Sequence, residues 1–269
     1  MKSGLPNNTV NSIAQDIYGY IWIGTYNGLS RRGGEGYTNY YVTGDSNALS
    51  SNIIYQIMPD STGKLWILDA NGLCYYSYID NHFHYLEIHK NVKQPLSSMV
   101  MDKKQTIWFT STMGLFKIDT RSLQYSLVNQ DREVAGGSLW IDEMQRIWIS
   151  NKNRIFLYNV DGNSITEMHG LPMSGIGYIT GFFSQRENEI WMAYKNVDSP
   201  GIKLYDKTAM QTQTFVGNDK QDFHEHYSDF ILHPFLTGDT VLWCNKEKVL
   251  ALFNLKTKKF VPNTYNQRP

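Results

Sequence analysis

The sequence predicts an all-β chain built from repeated four-stranded sheets, and three observations predict it. Tryptophan recurs at Trp22, Trp66, Trp108, Trp148, Trp191 and Trp243, at intervals of 44, 42, 40, 43 and 52 residues. Each of these sits in a short run of strand formers, as in Tyr20-Ile21-Trp22-Ile23-Gly24-Thr25. No long helical pattern interrupts them. A period of 40 to 50 residues made of strands is the signature of a β-propeller, one four-stranded blade per repeat. Six such repeats fill the 269 residues.

The elements of one repeat follow in order. A leading leucine, Leu5 or Leu49, stands 17 residues before the tryptophan and opens the first strand. An aspartate six residues before it, at Asp16, Asp60, Asp102 and Asp142, begins a turn, where its carboxylate caps local amides. The second strand carries the tryptophan, whose large apolar body fills the wedge between neighbouring sheets. Six residues later comes glycine, at Gly28, Gly72 and Gly114. Asn27-Gly28 and Asn71-Gly72 read as type I′ hairpins, which need positive φ at both central residues. An aromatic last strand follows, at Tyr37 to Val42 or Phe83 to Ile88. The fourth repeat keeps Asp142 and Trp148 but turns through Asn151 to Arg154, and the fifth and sixth are looser. The expected organisation is one domain, with blades at roughly 5–44, 45–92, 93–130, 131–169, 170–218 and 219–265.

Composition excludes several function classes. Lys plus Arg and Asp plus Glu both total 25, so net attraction to nucleic acid or to an anionic membrane is not expected. No apolar signal-peptide core and no 18-residue apolar span is present, so no direct membrane insertion is expected. Cys74 and Cys244 fall in the second and sixth repeats and are read as small strand residues, not as a disulfide. His224-Glu225-His226 lacks partners at ligand spacing, so no metal and no cofactor are expected. The repeated aspartates sit one per blade, too dispersed for an acid/base pair, and no nucleophile elbow or phosphate-cradling loop occurs. Trp140, outside the period, is read as core.

Asp16 to Leu29 (DIYGYIWIGTYNGL) and Asp60 to Leu73 (DSTGKLWILDANGL), with the preceding Gly4 to Val10 and Ala48 to Ile54, resemble the two-component regulator propeller repeat. The resemblance runs over residues 4–120 and thins beyond 160. It implies the periplasmic sensor region of hybrid two-component histidine kinases of glycan-degrading gut bacteria. There, two seven-bladed propellers precede an immunoglobulin-like domain, a membrane helix and the kinase. It thus implies a non-catalytic, periplasmic sensor fragment, part of a seven-bladed or double propeller, with an oligosaccharide ligand, an adjacent propeller and a homodimer as partners. Six repeats, where the family implies seven blades, is the departure. Thr106 to Asp119 also resembles the streptogramin-lyase repeat, which keeps a propeller enzyme as an alternative, beside a propeller that only binds proteins.

Long loops on one face of a propeller commonly bind. On the face bearing the hairpins after the tryptophan strands, the expected ligand residues are Tyr26, Asn27, Asn71, Arg154, Asn196 and Asp198. Planar amides, Arg and exposed rings suit sugars, whose hydroxyls need donors and acceptors and whose C–H faces pack on aromatics. Asn196 to Pro200 is a hairpin insertion beyond what strand pairing needs. Asp16, Trp22, Gly28, Asp60, Trp66, Gly72, Asp102, Trp108, Gly114, Asp142, Trp148, Trp191 and Trp243 are read as structural.

Overall fold

In the computed structural model the described residues are 4–34, 36–86, 88, 96–142, 144–151, 154–160, 162–169, 178–183, 188–195, 201–206, 208–216, 230–237, 240–245 and 250–261. Among them, six four-stranded antiparallel sheets follow one another along the chain, each pairing its strands in sequence order. These are the blades of a β-propeller. The chain divides into two compact units, Met1–Leu139 and Trp140–Pro269.

The first unit holds three blades. Blade 1 comprises β1 (Val10–Gln15), β2 (Ile21–Thr25), β3 (Gly28–Gly33) and β4 (Gly36–Tyr40). Blade 2 comprises β5 (Ile54–Pro59), β6 (Leu65–Asp69), β7 (Gly72–Ser77) and β8 (His82–Tyr85). Blade 3 comprises β9 (Leu96–Met101), β10 (Thr106–Ser111), β11 (Gly114–Asp119) and β12 (Tyr125–Asn129). The last strands are shorter than the aromatic runs suggested, ending at Tyr40 and Tyr85.

Period-2 alternation sends Trp22 and Trp66 toward the following blade. Trp22 is buried with Leu49, Ile54, Ile57, Leu65 and Ile67 of blade 2. Trp66 in turn packs with Met99, Ile107 and Phe109 of blade 3. Burying one such ring stabilises by about 4–6 kcal/mol at ~25 cal/mol per Å². Ile13, the blade 1 counterpart of Ile57 and Met99, is instead exposed.

The first strands are also tied by hydrogen bonds that no motif announced. The Ile57 amide donates to Ser12 Oγ at 3.1 Å, and the Leu139 amide donates to Ser98 Oγ at 3.1 Å. Between them, Gln56 brackets Met99, its Oε1 accepting the Met99 amide at 3.1 Å and its Nε2 donating to the Met99 carbonyl at 2.7 Å. In blades 1 and 2 one position thus anchors the next blade, and in blade 3 the same position holds Leu139. A bulge precedes it in β1 and β5, where the pairing shifts between Val10 and Ser12 and between Ile54 and Gln56.

The hairpins after the tryptophan strands differ from the type I′ expectation. Thr25 pairs with Gly28 and Asp69 with Gly72, so the loop residues are Tyr26-Asn27 and Ala70-Asn71. Positive φ falls on Gly28 (120°), Gly72 (140°) and Gly114 (134°), and on neither asparagine. The reason is a side-chain cap. Thr25 Oγ1, Asp69 Oδ1 and Ser111 Oγ accept the amides of Asn27, Asn71 and Met113 at 3.1, 2.8 and 3.0 Å, which curls the loop and leaves glycine to absorb the exit geometry.

The second unit holds the other blades. Blade 4 opens with β13 (Ser138–Ile141), at the division between the units, and continues through β14 (Ile147–Asn151), β15 (Arg154–Asn159) and β16 (Ser164–Glu167). Blade 5 comprises β17 (Tyr178–Phe183), β18 (Glu189–Lys195), β19 (Gly201–Asp206) and β20 (Gln211–Val216). Blade 6 comprises β21 (Phe230–Thr237), β22 (Thr240–Asn245), β23 (Leu250–Asn254) and β24 (Lys259–Val261). Trp148 is buried with Ile179, Phe182, Ile190 and Met192, and Trp140 packs beside them, its ring 5.9 Å from that of Phe182. Trp191 is buried, and Trp243 stands in β22 opposite Leu232 and Ala251.

Candidate functional site

The expected ligand residues fall into three groups. Tyr26 and Asn27 share the tip of the β2–β3 hairpin, both exposed. Asn71 lies on the next hairpin along the same side of the first unit. Its Nδ2 donates to the Ser50 carbonyl at 2.7 Å, so its amide is engaged in bracing the loop. The Gly28 amide donates to the Asn52 carbonyl at 2.7 Å, which stitches the blade 1 hairpin to the same connection. Asp69 beneath it is buried and accepts from Ser50 Oγ at 2.9 Å as well as from the Asn71 and Gly72 amides. Burial raises its carboxyl above the usual range, and those hydrogen bonds hold it back only in part. Cys74, free and buried nearby, has its thiol pushed up by burial.

Arg154 is in the second unit. Its Nε donates to Glu167 Oε1 at 2.8 Å, and its terminal nitrogen meets the other carboxylate oxygen. That two-pronged ion pair spans β15 and β16 and accounts for the side chain structurally. Asn196, Asp198 and the insertion to Pro200 lie outside the described residues, as does His224-Glu225-His226. Among the described residues, no three His, Cys, Asp or Glu side chains gather as metal ligands.

The opposite ends of the first two blades carry a denser constellation. Asp16 is 7% exposed. Its Oδ1 accepts the amides of Tyr18 and Tyr20 at 3.0 and 2.9 Å. Its Oδ2 accepts Trp22 Nε1 at 2.6 Å and the Tyr78 hydroxyl reaching across from blade 2. Trp22 Nε1 also lies 3.1 Å from that hydroxyl. The Tyr18 and Tyr78 rings tilt together at 4.5 Å, and Tyr20 stacks on Tyr78 at 6.3 Å. Arg31, cross-strand from Trp22, sets its guanidinium 4.9 Å from the Tyr20 ring centre, 5.5 Å from Trp22 and 5.9 Å from both Tyr40 and Tyr78. Desolvation keeps the Tyr40 and Tyr78 hydroxyls protonated well above the ordinary tyrosine range. Sequence reasoning passed over this cluster. The available signal was departure from the repeat, since Tyr18, Tyr20 and Arg31 stand where blade 2 has Thr62, Lys64 and Tyr75.

Residues 4–27 match the two component regulator propeller family. The match takes in β1 and β2 and ends in the β2–β3 hairpin. No curated protein matches the chain. Among solved structures, this chain is similar in fold to an extracellular domain described as that of a hybrid two component system of B. thetaiotaomicron. The two are 16% identical with a TM-score of 0.74, over 97% of this chain and 36% of that one. A second extracellular domain from B. thetaiotaomicron, described as that of a one component system, is 19% identical with a TM-score of 0.71, over 97% and 36%. The chain therefore spans about a third of the length of these domains. A catalytically inactive virginiamycin B lyase of Staphylococcus aureus is also similar, at 14% identity and a TM-score of 0.62, over 94% of this chain and 88% of that one. At such identities the likeness establishes the propeller fold. Among the described residues no helix is long and apolar enough to cross a membrane.

Proposed function

We propose that this chain is a non-catalytic sensing module from the extracytoplasmic region of a hybrid two-component system. It recognises an oligosaccharide, by itself or in a composite site with an adjacent propeller. The observation that carries this reading is the regulator propeller repeat in blade 1, joined to a fold likeness that runs over 97% of the chain with extracellular domains of such systems. In this reading the six blades make one domain in the periplasm, and a homodimer of the parent protein relays the signal. Binding biases one arrangement of the dimer over another, because a ligand acts only through its difference in affinity for two states.

The test is thermal unfolding of the purified chain against plant, host and microbial oligosaccharides, with product analysis of each mixture. A saturating ligand raises stability by roughly 2–4 kcal/mol without being consumed. Conversion of a saccharide would replace sensing with catalysis. A sharp transition that no saccharide moves would leave a composite site that needs the adjacent propeller, or a module that only binds proteins.

A further inference from the structure

We propose that Arg31 is the centre of an anion-accepting subsite at the β1–β2 turn end of blades 1 and 2, and that it takes the carboxylate or sulfate of an acidic saccharide. This deepens the oligosaccharide reading above and rests on it, but it moves the contact to the end of the blades opposite Tyr26 and Asn27.

Charge is the first argument. Among the described residues no carboxylate lies within 4.0 Å of the Arg31 guanidinium, whereas Arg146 and Arg154 are paired with Asp142 and Glu167. Asp16 shares the Tyr78 neighbourhood but does not answer Arg31. Its two oxygens already take two turn amides, an indole N–H and the Tyr78 hydroxyl. A guanidinium has five N–H donors in a planar fork that matches carboxylate and sulfate oxygens. Aromatic rings flank this fork on several sides, and the Tyr78 hydroxyl takes one of its five donors, which leaves the others to answer an incoming acceptor.

Shape is the second argument. Tyr18 and Tyr20, which border the cluster, are 56% and 36% exposed. Both rings pack against Tyr78, with centroids 4.5 and 6.3 Å from its ring. An exposed aromatic shelf beside a cation with no carboxylate partner among the described residues suits a pyranose with an acidic substituent, its C–H face on the ring and its charge on the fork. Blades 2 and 3 place Tyr75 and Lys117 at the Arg31 position and Lys64 and Thr106 at the Tyr20 position, so the arrangement belongs to blade 1 alone in this unit.

The experiment is calorimetric titration of the full chain with a uronate oligosaccharide, a sulfated one and a neutral one of matched length. Wild type, Arg31→Met, Arg31→Lys and Tyr20→Ala are compared, each first checked for an unchanged melting transition. The subsite predicts binding of one acidic series that salt weakens. It predicts a loss of about 10- to 100-fold in Arg31→Met, the range for charge-assisted hydrogen bonds. Arg31→Lys should lose less, and Tyr20→Ala should weaken every saccharide that binds. Whichever acidic series binds identifies carboxylate or sulfate as the anion. Should Arg31→Met unfold, Arg31→Lys carries the test through its altered preference between the two anions. Equal affinity for neutral and acidic saccharides, or acidic binding indifferent to Arg31, overturns the subsite and leaves the sensing reading standing. Failure of every saccharide to bind the folded chain overturns the subsite and recognition by this chain alone, leaving only a composite site with an adjacent propeller.

Discussion

The Asp142 carboxylate accepts the Trp148 indole N–H at 2.9 Å while its other oxygen accepts the Arg146 amide at 2.9 Å. The same contact links Asp16 to Trp22, Asp60 to Trp66 and Asp102 to Trp108, at 2.6, 2.9 and 3.0 Å. One side chain thereby closes the turn between the first two strands and satisfies the polar atom of the largest core residue. The six-residue spacing is a consequence of that double duty. The aspartate must start the turn, and the indole must come back over it.

Replacing Asp60 by Ala should therefore cost about 2–4 kcal/mol, since a buried indole donor and turn amides lose their acceptor together. Asp60→Asn should cost less, because one oxygen can still serve the turn. Urea unfolding followed by tryptophan fluorescence measures both. A loss under about 0.5 kcal/mol for the alanine variant, the level of an ordinary surface substitution, would show that the carboxylate is dispensable.

Two glycines separate backbone strain from collision. Gly19 has φ of 85° and essentially open space where a Cβ would go, its nearest atom being Gln15 Nε2 at 4.0 Å. Gly19→Ala should cost about 1–2 kcal/mol, the left-handed penalty alone. Gly114, with φ of 134°, would set a Cβ 2.1 Å from the Asn129 carbonyl oxygen, which is backbone and cannot swing aside. Its alanine variant should lose roughly 3 kcal/mol or more. Equal melting temperatures for the two would mean that β12 moves freely.

Gln56 makes two hydrogen bonds to Met99 where Ser12 and Ser98 each make one, to Ile57 and Leu139. Gln56→Ala should destabilise by about 1–3 kcal/mol, and Ser12→Ala by about 1 kcal/mol. Hydrogen exchange should show faster exchange of the Met99 amide in the first variant, with the Leu139 amide unaffected. Uniform acceleration across the unit would contradict a local tie.

Burial raises the Asp69 carboxyl, so the folded chain keeps that proton to higher pH than the unfolded chain does. The folded state then binds more protons than the unfolded state across the window. Its stabilising contribution is fully present below the ordinary carboxylate value of about 4 and declines as pH rises through the folded value. Asp69→Asn should flatten that part of the stability profile, measured as melting temperature against pH between about 3 and 7. An unchanged slope would place the titration elsewhere.

The sheet repeat was legible because a fully buried tryptophan is rare enough to mark a period, and Asp16, Asp60, Asp102 and Asp142 keep their distance from it. The hairpin conformation was not, since Asn27-Gly28 looks like a type I′ turn until the Thr25 hydroxyl is seen to cap Asn27. Ser12, Gln56 and Ser98 escaped notice because their common task is done by different side chains. The Arg31 cluster escaped for another reason. Tyr78 reaches Asp16 from 62 residues away, and only the fold brings them together. The expected face proved partly self-satisfied, with Asn71 bound to Ser50 and Arg154 to Glu167.

The aspartate–indole contacts also have a use in the test tube. Each places one indole proton, per blade, in a hydrogen bond under a packed sheet, so that proton should exchange with solvent only when its own blade opens. The chain thus carries four natural spectroscopic probes, at Trp22, Trp66, Trp108 and Trp148. A nitrogen-labelled sample could follow the loosening of individual blades on binding or heating without any added label.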